Sequence, residues 1–189
     1  MRLQELSKEI KQRKSIEFEL NTANRALEKL ATTDVLTDVH NRRSIEKLGK
    51  ALEAESLRYL VHYSVFMLDV DHFKQVNDRW GHKTGDLVLR QIALKIRSQL
   101  REGDNIGRWG GEEFIILTKQ ISHDASVEFA NRLCQTISKL EYDSIGHITI
   151  SIGVASNHTK EKFDGVLLRA DQALYLAKQR GRNRVEAIV

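Results

Sequence analysis

The sequence contains one cysteine among its 189 residues and no long apolar run. A single cysteine, Cys134, excludes an intrachain disulfide and is typical of a reducing compartment. No hydrophobic stretch approaches the roughly 20 residues that a membrane-spanning helix needs, and the first residues lack the apolar core of a signal peptide. We therefore expect a cytoplasmic chain without membrane contact in this stretch, any anchor lying outside it.

Dense blocks of like charge are also missing. The formal net charge is +4, but lysine and arginine are spread along the chain, so the sequence predicts no nucleic-acid partner. With 41% hydrophobic and 30% charged residues, the composition is typical of one globular domain with at most one appended element. Any preference for anions must therefore come from particular sites.

Residues 1–33 contain no glycine and no proline, and their apolar residues alternate at three- and four-residue spacing. This pattern predicts a long helix with a coiled-coil seam. The seam consists of Leu3, Leu6, Ile10, Leu20 and Leu27. Arg13, Glu17 and Asn24 share its register, which weakens the seam or fixes the number and alignment of its partners. A lone helix cannot bury so narrow a stripe, so we expect pairing with a second copy; the alternative is an exposed connecting helix.

Residues 34–189 predict one domain of mixed α and β structure. Asp34 and Asn41 are expected to form caps and turns at its start. The patterns predict helices at 42–56, 85–100, 122–140 and 163–179, and strands at 63–70, 106–109, 112–118, 148–152 and 184–188. Adjacent Gly110 and Gly111 predict a tight hairpin with a primed turn, which requires positive φ at its centre.

The strand at 63–70 ends in acidic residues. Asp69 and Asp71 stand close to Lys74 and to the amides that begin a helix, which is a favourable setting for a divalent cation and its phosphates. The alternative is that both carboxylates merely cap that helix.

A second acidic pair, Glu112 and Glu113, follows the two glycines. Adjacent carboxylates repel each other, and a cation within reach of both would relieve the repulsion. If this hairpin pairs beside the strand of Asp69, then Asp69 and Glu112 converge on the same metal ions. A solvated acidic turn is the alternative.

Together these stretches resemble the GGDEF family of diguanylate cyclases, in its Gly-Gly-Glu-Glu-Phe variant. Seven stretches match in order from residue 34 to residue 184. They include Asp34–Thr37, Asn41–Arg43, Asp69–Lys74, Gly81–Asp86, Arg108–Phe114, Ser151–Val154 and Ala170–Tyr175. Asp38, where glycine is usual, and Val39, where leucine is usual, depart from the pattern outside the presumed active centre.

The resemblance implies a fold and a reaction. The fold is a central, mainly antiparallel five-stranded sheet flanked by helices, similar to nucleotidyl cyclase and polymerase palm domains. The reaction is a nucleotidyl transfer that condenses two GTP into cyclic di-GMP and two pyrophosphates. It would use two Mg²⁺ ions per GTP site, with Mn²⁺ as a substitute, in a homodimer that an upstream sensor domain controls.

The resemblance also implies roles for individual residues. Asp69, the Val70 carbonyl and Glu112 would hold the metal ions, and Glu112 would be the catalytic residue. Asn77 and Asp86 would read guanine, which presents both donors and acceptors. The side chains of Lys74, Lys178 and Arg182 would contact the phosphates, assisted by the backbone amides of Phe73 and Lys74. His82 would lie near the base. The alternatives are a helix cap for Asn77 and favourable helix-dipole positions for Lys178 and Arg182.

Product inhibition is a further implication. Arg101 and Asp104 match the Arg-x-x-Asp inhibitory motif of such cyclases, in which arginine grips phosphate and aspartate guanine. Arg132 lies where a second domain often adds its arginine. Without the resemblance, Arg101 and Asp104 would be polar residues at a helix end.

Two other functions fit the same sequence. The first is a non-catalytic receptor for GTP or cyclic di-GMP, although a pure binder would not need the metal carboxylates. The second is a dimerising interaction module with a vestigial nucleotide site.

Overall fold

The protein, as a computed structural model, is described for residues 2–143 and 145–188; the side chains of residues 2–11, 25 and 26 lie outside the described part. The helices are α1 Arg2–Thr32, α2 Arg42–Tyr59, α3 Phe73–Trp80, α4 His82–Arg97, α5 His123–Ser138 and α6 Phe163–Gln179. The strands are β1 Tyr63–Val70, β2 Asn105–Arg108, β3 Glu113–Lys119, β4 Glu141–Tyr142, β5 Gly146–His147, β6 Ile150–Ser156 and β7 Val185–Ile188.

Five strands form the central sheet in the order β2-β3-β1-β6-β7. The pairs β2–β3, β3–β1 and β1–β6 are antiparallel, and only β6–β7 is parallel. The predicted fold class, a mainly antiparallel five-stranded sheet flanked by helices, is confirmed. The short β4–β5 hairpin was not predicted, because strands of two residues are too short to show an alternation of apolar and polar residues.

Strand β1 lies at the centre, and all eight of its residues are buried. Its side chains alternate between the two faces of the sheet, as a strand requires. Phe66 and Leu68 belong to the apolar cluster under α3, α4 and α5, whereas Val65 and Met67 belong to the cluster under α2 and α6. Burial on both faces explains why the sequence of β1 is an almost unbroken apolar run.

Helix α6 lies directly on β6, and Gly153 makes this approach possible. A Cβ atom at Gly153 would overlap the Ala170 carbonyl oxygen and the Leu174 backbone. The absent side chain therefore lets the helix backbone touch the strand. This contact holds α6 close to the sheet. The last turn of α6 lies beside the acidic end of β1, where Lys178 pairs with Asp69.

Asn41 connects α1 to the rest of the structure. Its side-chain amide donates to the Ala31 carbonyl at 2.9 Å, and its side-chain oxygen accepts from the Ser44 amide at 2.9 Å. Asn41 therefore binds a carbonyl in the last turn of α1 and caps the start of α2. The predicted cap at Asn41 is confirmed. Asp34, by contrast, begins a turn, in which its carboxylate accepts from the Thr37 amide.

Helix α1 presents its described apolar side chains to solvent. Ile16, Phe18, Leu20, Leu27 and Leu30 are between 57% and 73% exposed. Leu3, Leu6 and Ile10 of the predicted seam lie outside the described side chains, so the pairing of α1 stays a prediction, as does the division of the chain at residues 33 and 34. None of the helices in the described ranges is long and apolar enough to cross a membrane.

Candidate active site

Asp69 and Glu112 lie at the same end of two adjacent strands in the middle of the sheet. Asp69 is the penultimate residue of β1, and Glu112 immediately precedes β3, the neighbouring strand. The Val70 amide donates to the Glu112 carbonyl at 3.3 Å, and Asp69 pairs with Glu113 in the sheet register. The convergence expected from the sequence is therefore present.

The two carboxylates interact electrostatically. Burial raises the pKa of Asp69, which is 7% exposed, even though the Lys178 ammonium lies 2.6 Å from its Oδ2 atom and opposes the rise. Burial also raises the pKa of Glu112, and the nearby charge of Asp69 raises it further. Loss of solvent thus outweighs the ion pair. Both carboxylates would gain from a cation placed between them.

The helix-cap alternative for the first acidic cluster is wrong. His72, with φ 58°, precedes α3 without a side-chain cap. Asp69 contacts Lys178, and the Asp71 carboxylate accepts from the Thr149 and Ser151 hydroxyls and from the Asn183 amide. Because neither aspartate caps α3, the first backbone amides of this helix remain available to a ligand.

The connection from β2 to β3 differs from the expected primed turn. Residues 109–112 join the strands, and neither Gly110 nor Gly111 has positive φ. The Arg108 guanidinium donates to the carbonyl oxygens of Gly110 at 3.2 Å and Gly111 at 2.6 Å. Because a side chain binds these carbonyls, the longer loop is held without the mirror-image backbone of a two-residue turn.

Arg108 also reaches the junction with α1. Its Nη1 atom lies 3.1 Å from Asp34 Oδ1, and Asp34 accepts two further bonds from Thr37. Burial alone would raise the pKa of Asp34, but the Thr37 and Arg108 contacts bring it below its usual value. No role was predicted for Arg108 from the sequence, although Arg108 lies in one of the matching stretches and Asp34 in another. Only the folded chain brings Asp34 and Arg108 together.

Asn77 and Asp86, the predicted guanine contacts, lie on neighbouring helices. Both are half-buried, Asn77 within α3 and Asp86 within α4. Gly85, which precedes Asp86 in α4, faces Asn77, and a Cβ atom there would overlap Asn77 Oδ1. The missing side chain thus accommodates the amide of Asn77 beside Asp86. The cap alternative for Asn77 is wrong, since Asn77 lies inside α3, which ends at Trp80 with Gly81 as its C-cap.

The remaining predicted substrate residues lie at the starts of α3 and α4 and at the end of α6. The Phe73 side chain is buried in the core, so only its amide can face a ligand, while Lys74 and His82 are exposed at the starts of α3 and α4. Lys178 lies in the last turn of α6, where it also favours the helix dipole. Arg182 lies beyond that helix, and its charge acts to lower the pKa of Asp69. Two cations therefore stand beside the acid pair.

The donor set fits a hard divalent cation that is shared with a substrate. Among the side chains that the structure describes, no three of His, Cys, Asp or Glu group to hold a metal by themselves. Mg²⁺ rarely needs such a cage, since it usually binds one or two carboxylates together with water and substrate phosphates. The Asp69 and Glu112 carboxylates with the Val70 carbonyl would supply the protein's share.

The predicted inhibitory residues surround one cavity on another side of the domain. Arg101, Asp104 and Arg132 line a space of about 220 Å³ between the end of α4, strand β3 and helix α5. The Asp104 carboxylate accepts from the Arg101 amide at 3.2 Å, and the Arg132 guanidinium lies over the Phe129 ring. A cavity with two arginines and an aspartate suits a ligand that carries both phosphate and guanine.

Cavity size alone does not mark the chemistry. A larger space, of about 680 Å³, lies at the far ends of β1, β3 and β6, lined by residues that include His62, His123 and His158. The acid pair lies at the opposite end of β1. The fold and the acidic centre thus define an α+β domain with an acidic candidate site at the ends of adjacent antiparallel strands.

The family model described as "Diguanylate cyclase, GGDEF domain" matches residues 31–184. The chain therefore belongs to the GGDEF family. Diguanylate cyclase DgcM of Escherichia coli is 37% identical over 161 residues, which is 85% of this chain but 39% of DgcM. The chain therefore spans about two fifths of that relative's length. The predicted family is confirmed.

Solved structures agree. The coiled coil and GGDEF domain of DgcB from Caulobacter crescentus, in complex with c-di-GMP, superposes with a TM-score of 0.89 at 30% identity, covering 97% of this chain and 99% of that one. The active GGEEF domain of a diguanylate cyclase from Vibrio cholerae gives 0.75 at 34% identity, covering 78% and 96%. The similarity to DgcB extends over most of this chain.

Proposed function

We propose that the chain is a diguanylate cyclase that joins two GTP molecules into cyclic di-GMP and releases two pyrophosphates. The observation that carries this proposal is the convergence of Asp69 and Glu112, with raised pKa values, beside Lys178 and Arg182. Carboxylates suit a metal bound to phosphates, and the adjacent cations suit the phosphates themselves.

The side chains divide the work of substrate binding. Asn77 and Asp86 bind the guanine edge, and the first amides of α3, at Phe73 and Lys74, receive phosphate oxygens. Lys178 and Arg182 neutralise the rest of the triphosphate, assisted by Lys74, and His82 lies near the base. This arrangement holds one GTP with its α-phosphate towards the acid pair.

Glu112 acts on the reacting hydroxyl. Glu112 immediately precedes β3, beside Asp69, and as a general base it accepts the proton of the attacking 3′-hydroxyl. The new bond joins that oxygen to the α-phosphorus, and the bond from the α-phosphorus to the pyrophosphate oxygen breaks. Mg²⁺ ions, or Mn²⁺ in their place, held by Asp69, Glu112 and the Val70 carbonyl, would activate the nucleophile and stabilise the leaving charge.

Two copies are needed, because one domain binds one GTP and the product contains two. The exposed Ile16, Leu20, Leu27 and Leu30 of α1 follow four-, seven- and three-residue steps, so they form one apolar face. A second α1 would cover this face in a homodimer and raise the effective concentration of the facing half-sites. A sensor domain acting through α1 would control their alignment.

Product inhibition is part of the proposal. Cyclic di-GMP would bind at the cavity lined by Arg101, Asp104 and Arg132, where its phosphates meet arginine and its guanine meets aspartate. Bound there, the product would hold the domains away from the facing arrangement.

Incubation of the full chain with GTP and MgCl₂, followed by anion-exchange chromatography, tests the activity. Cyclic di-GMP and pyrophosphate in a 1:2 ratio are expected. Retention of GTP without product would instead identify a receptor, and neither product nor retention would identify an interaction module.

Pairing of α1 is tested in the full chain with Leu20→Glu and Leu27→Glu combined. Specific activity should fall at low protein concentration and recover at high concentration, because charges on the apolar face weaken the dimer. Phe18→Glu is the matched control, since Phe18 is equally exposed but lies two residues from Ile16 and Leu20, on the other side of the helix. Equal behaviour of the two variants would contradict pairing through this face.

A further inference from the structure

Asp71 is a buried carboxylate for which the proposed reaction has no use. It is 4% exposed, and its position is fixed by the Thr149 hydroxyl at 2.6 Å and the Ser151 hydroxyl at 2.7 Å. A buried carboxylate must be compensated by donors, and Asp71 has a third one in the Asn183 amide at 3.0 Å. That third donor belongs to a different part of the chain, the loop that follows α6.

This loop has an uncommon backbone. Gly181, Arg182 and Asn183 follow each other with φ values of 110°, 62° and 45°. Glycine reaches this region freely and asparagine readily, but arginine does so at a cost. Consecutive residues of this kind persist only where their surroundings enforce them. The Arg182 amide donates to the Ala177 carbonyl on one side, and Asp71 binds the Asn183 amide on the other.

The same loop carries a proposed phosphate contact. Arg182 is exposed, and its charge acts on Asp69, two residues before Asp71 in the chain. Lys178, one turn earlier, binds Asp69 directly. The end of β1 is thus fastened twice to the end of α6, once through each aspartate.

We propose that Asp71 is a positioning residue, which holds the 181–183 loop in its left-handed conformation so that Arg182 faces the triphosphate. The inference rests on the proposed function, because it concerns how GTP is held. Asp71 itself touches neither the substrate nor the metal. Guanine binding should change little, since Asn77 and Asp86 lie on other helices.

A matched pair of loop variants tests the link without altering the buried carboxylate. Asn183→Pro removes the amide donor and cannot adopt positive φ, whereas Asn183→Gly keeps both properties. We expect Asn183→Pro to raise the KM for GTP about tenfold, the loss typical of one charge-assisted contact, with kcat changed much less. Asn183→Gly should stay much closer to the parent chain. Equal KM values for the two variants would overturn the inference.

A double-mutant cycle tests whether Asp71 acts through Arg182. Asp71→Asn and Arg182→Ala should each raise the KM for GTP, and the double variant should be little worse than Arg182→Ala alone. Additive effects would overturn the inference, because Asp71 would then act by another route. The inhibition constant of GMP, measured against GTP turnover, should change little, whereas general disruption of the site would raise it as well.

The parent chain separates the two possible failures. If it makes no cyclic di-GMP, the proposed function fails and the positioning role falls with it. If it makes product while the Asn183 pair behaves alike or the cycle is additive, only the role of Asp71 fails.

Discussion

The two proposed ligand sites of this domain are built in different ways. Asp69 and Glu112 converge at the ends of adjacent strands, where burial raises the pKa of both carboxylates. Arg101, Asp104 and Arg132 surround a cavity beside helix ends, and the Arg101 side chain is 61% exposed. The first site rests on the central sheet and the second on the domain's flank.

This difference indicates a difference in work. A site that performs chemistry must hold charge in an unfavourable state until a substrate compensates it, and a rigid sheet edge can do so. A site that only senses a ligand needs complementary groups that solvent can reach. We therefore expect changes at one site to leave the other largely intact.

The largest effect should come from Glu112→Gln. Removing the acid should lower the rate of cyclic di-GMP formation about a thousandfold, within the usual range for a positioned acid–base group. Initial rates measured by chromatography give the result, with Glu141→Gln, an exposed glutamate in β4, as the control. Binding of cyclic di-GMP, measured by calorimetry, should be unchanged. A loss of both properties would break the separation of the sites.

Arg108→Lys should have the next largest effect. Lysine keeps the charge but lacks the planar fork that binds the Gly110 and Gly111 carbonyls together with Asp34. We expect kcat to fall roughly thirtyfold, since small misplacements of a reacting group are costly. Asp34→Asn should cost less, because the contacts to the loop carbonyls remain. An unchanged kcat in Arg108→Lys would mean that the loop needs no such support.

Arg101→Ala should weaken product inhibition by about tenfold while leaving the uninhibited initial rate intact. The measurement is the concentration of added cyclic di-GMP that halves the initial rate. Arg43→Ala, at an exposed arginine of α2, controls for loss of positive charge. Should the initial rate fall as much as the inhibition, the cavity would belong to the reaction site.

The pH dependence should give the smallest effect. Protons compete with Mg²⁺ for Asp69 and Glu112, so the Mg²⁺ concentration for half-maximal activity should rise a few-fold as pH falls towards their raised pKa values.

The raised pKa values also affect stability. A carboxylate whose pKa is raised in the folded state contributes stability below the unfolded pKa, and this contribution is lost as pH rises through the folded pKa. Without metal, Glu112→Gln should therefore unfold at a higher temperature than the parent at neutral pH. An unchanged midpoint would contradict the raised pKa.

Much of the fold could be predicted because it follows from periodicity. The strand at 63–70 and the helix at 163–179 were predicted with the bounds that the structure has, since each is a long, uniform pattern. The β4–β5 hairpin has no such pattern. The turn at Gly110 and Gly111 was mispredicted because its geometry depends on Arg108, a side chain outside the turn.

The candidate site shows the same limit. Asp69, Glu112, Asn77 and Asp86 were predicted from local motifs. The convergence of Asp69 and Glu112 followed from placing their strands side by side. The contacts of Asp71 with Thr149, Ser151 and Asn183 join residues that are far apart in sequence. No local pattern encodes such contacts, so a buried carboxylate could not be told from a ligand-binding one.

Asn41 has a mechanical consequence for any device attached upstream. The Asn41 side chain forms hydrogen bonds with both the last turn of α1 and the first turn of α2. We therefore expect a rotation of α1 to be passed on to α2 rather than lost in the connection. An α-helix rotates by about 100° per residue, and adding or deleting a single residue in α1 would turn whatever precedes it by that amount. Fusions that change α1 by whole heptads should keep the two domains of the proposed dimer in phase, whereas single-residue changes should not.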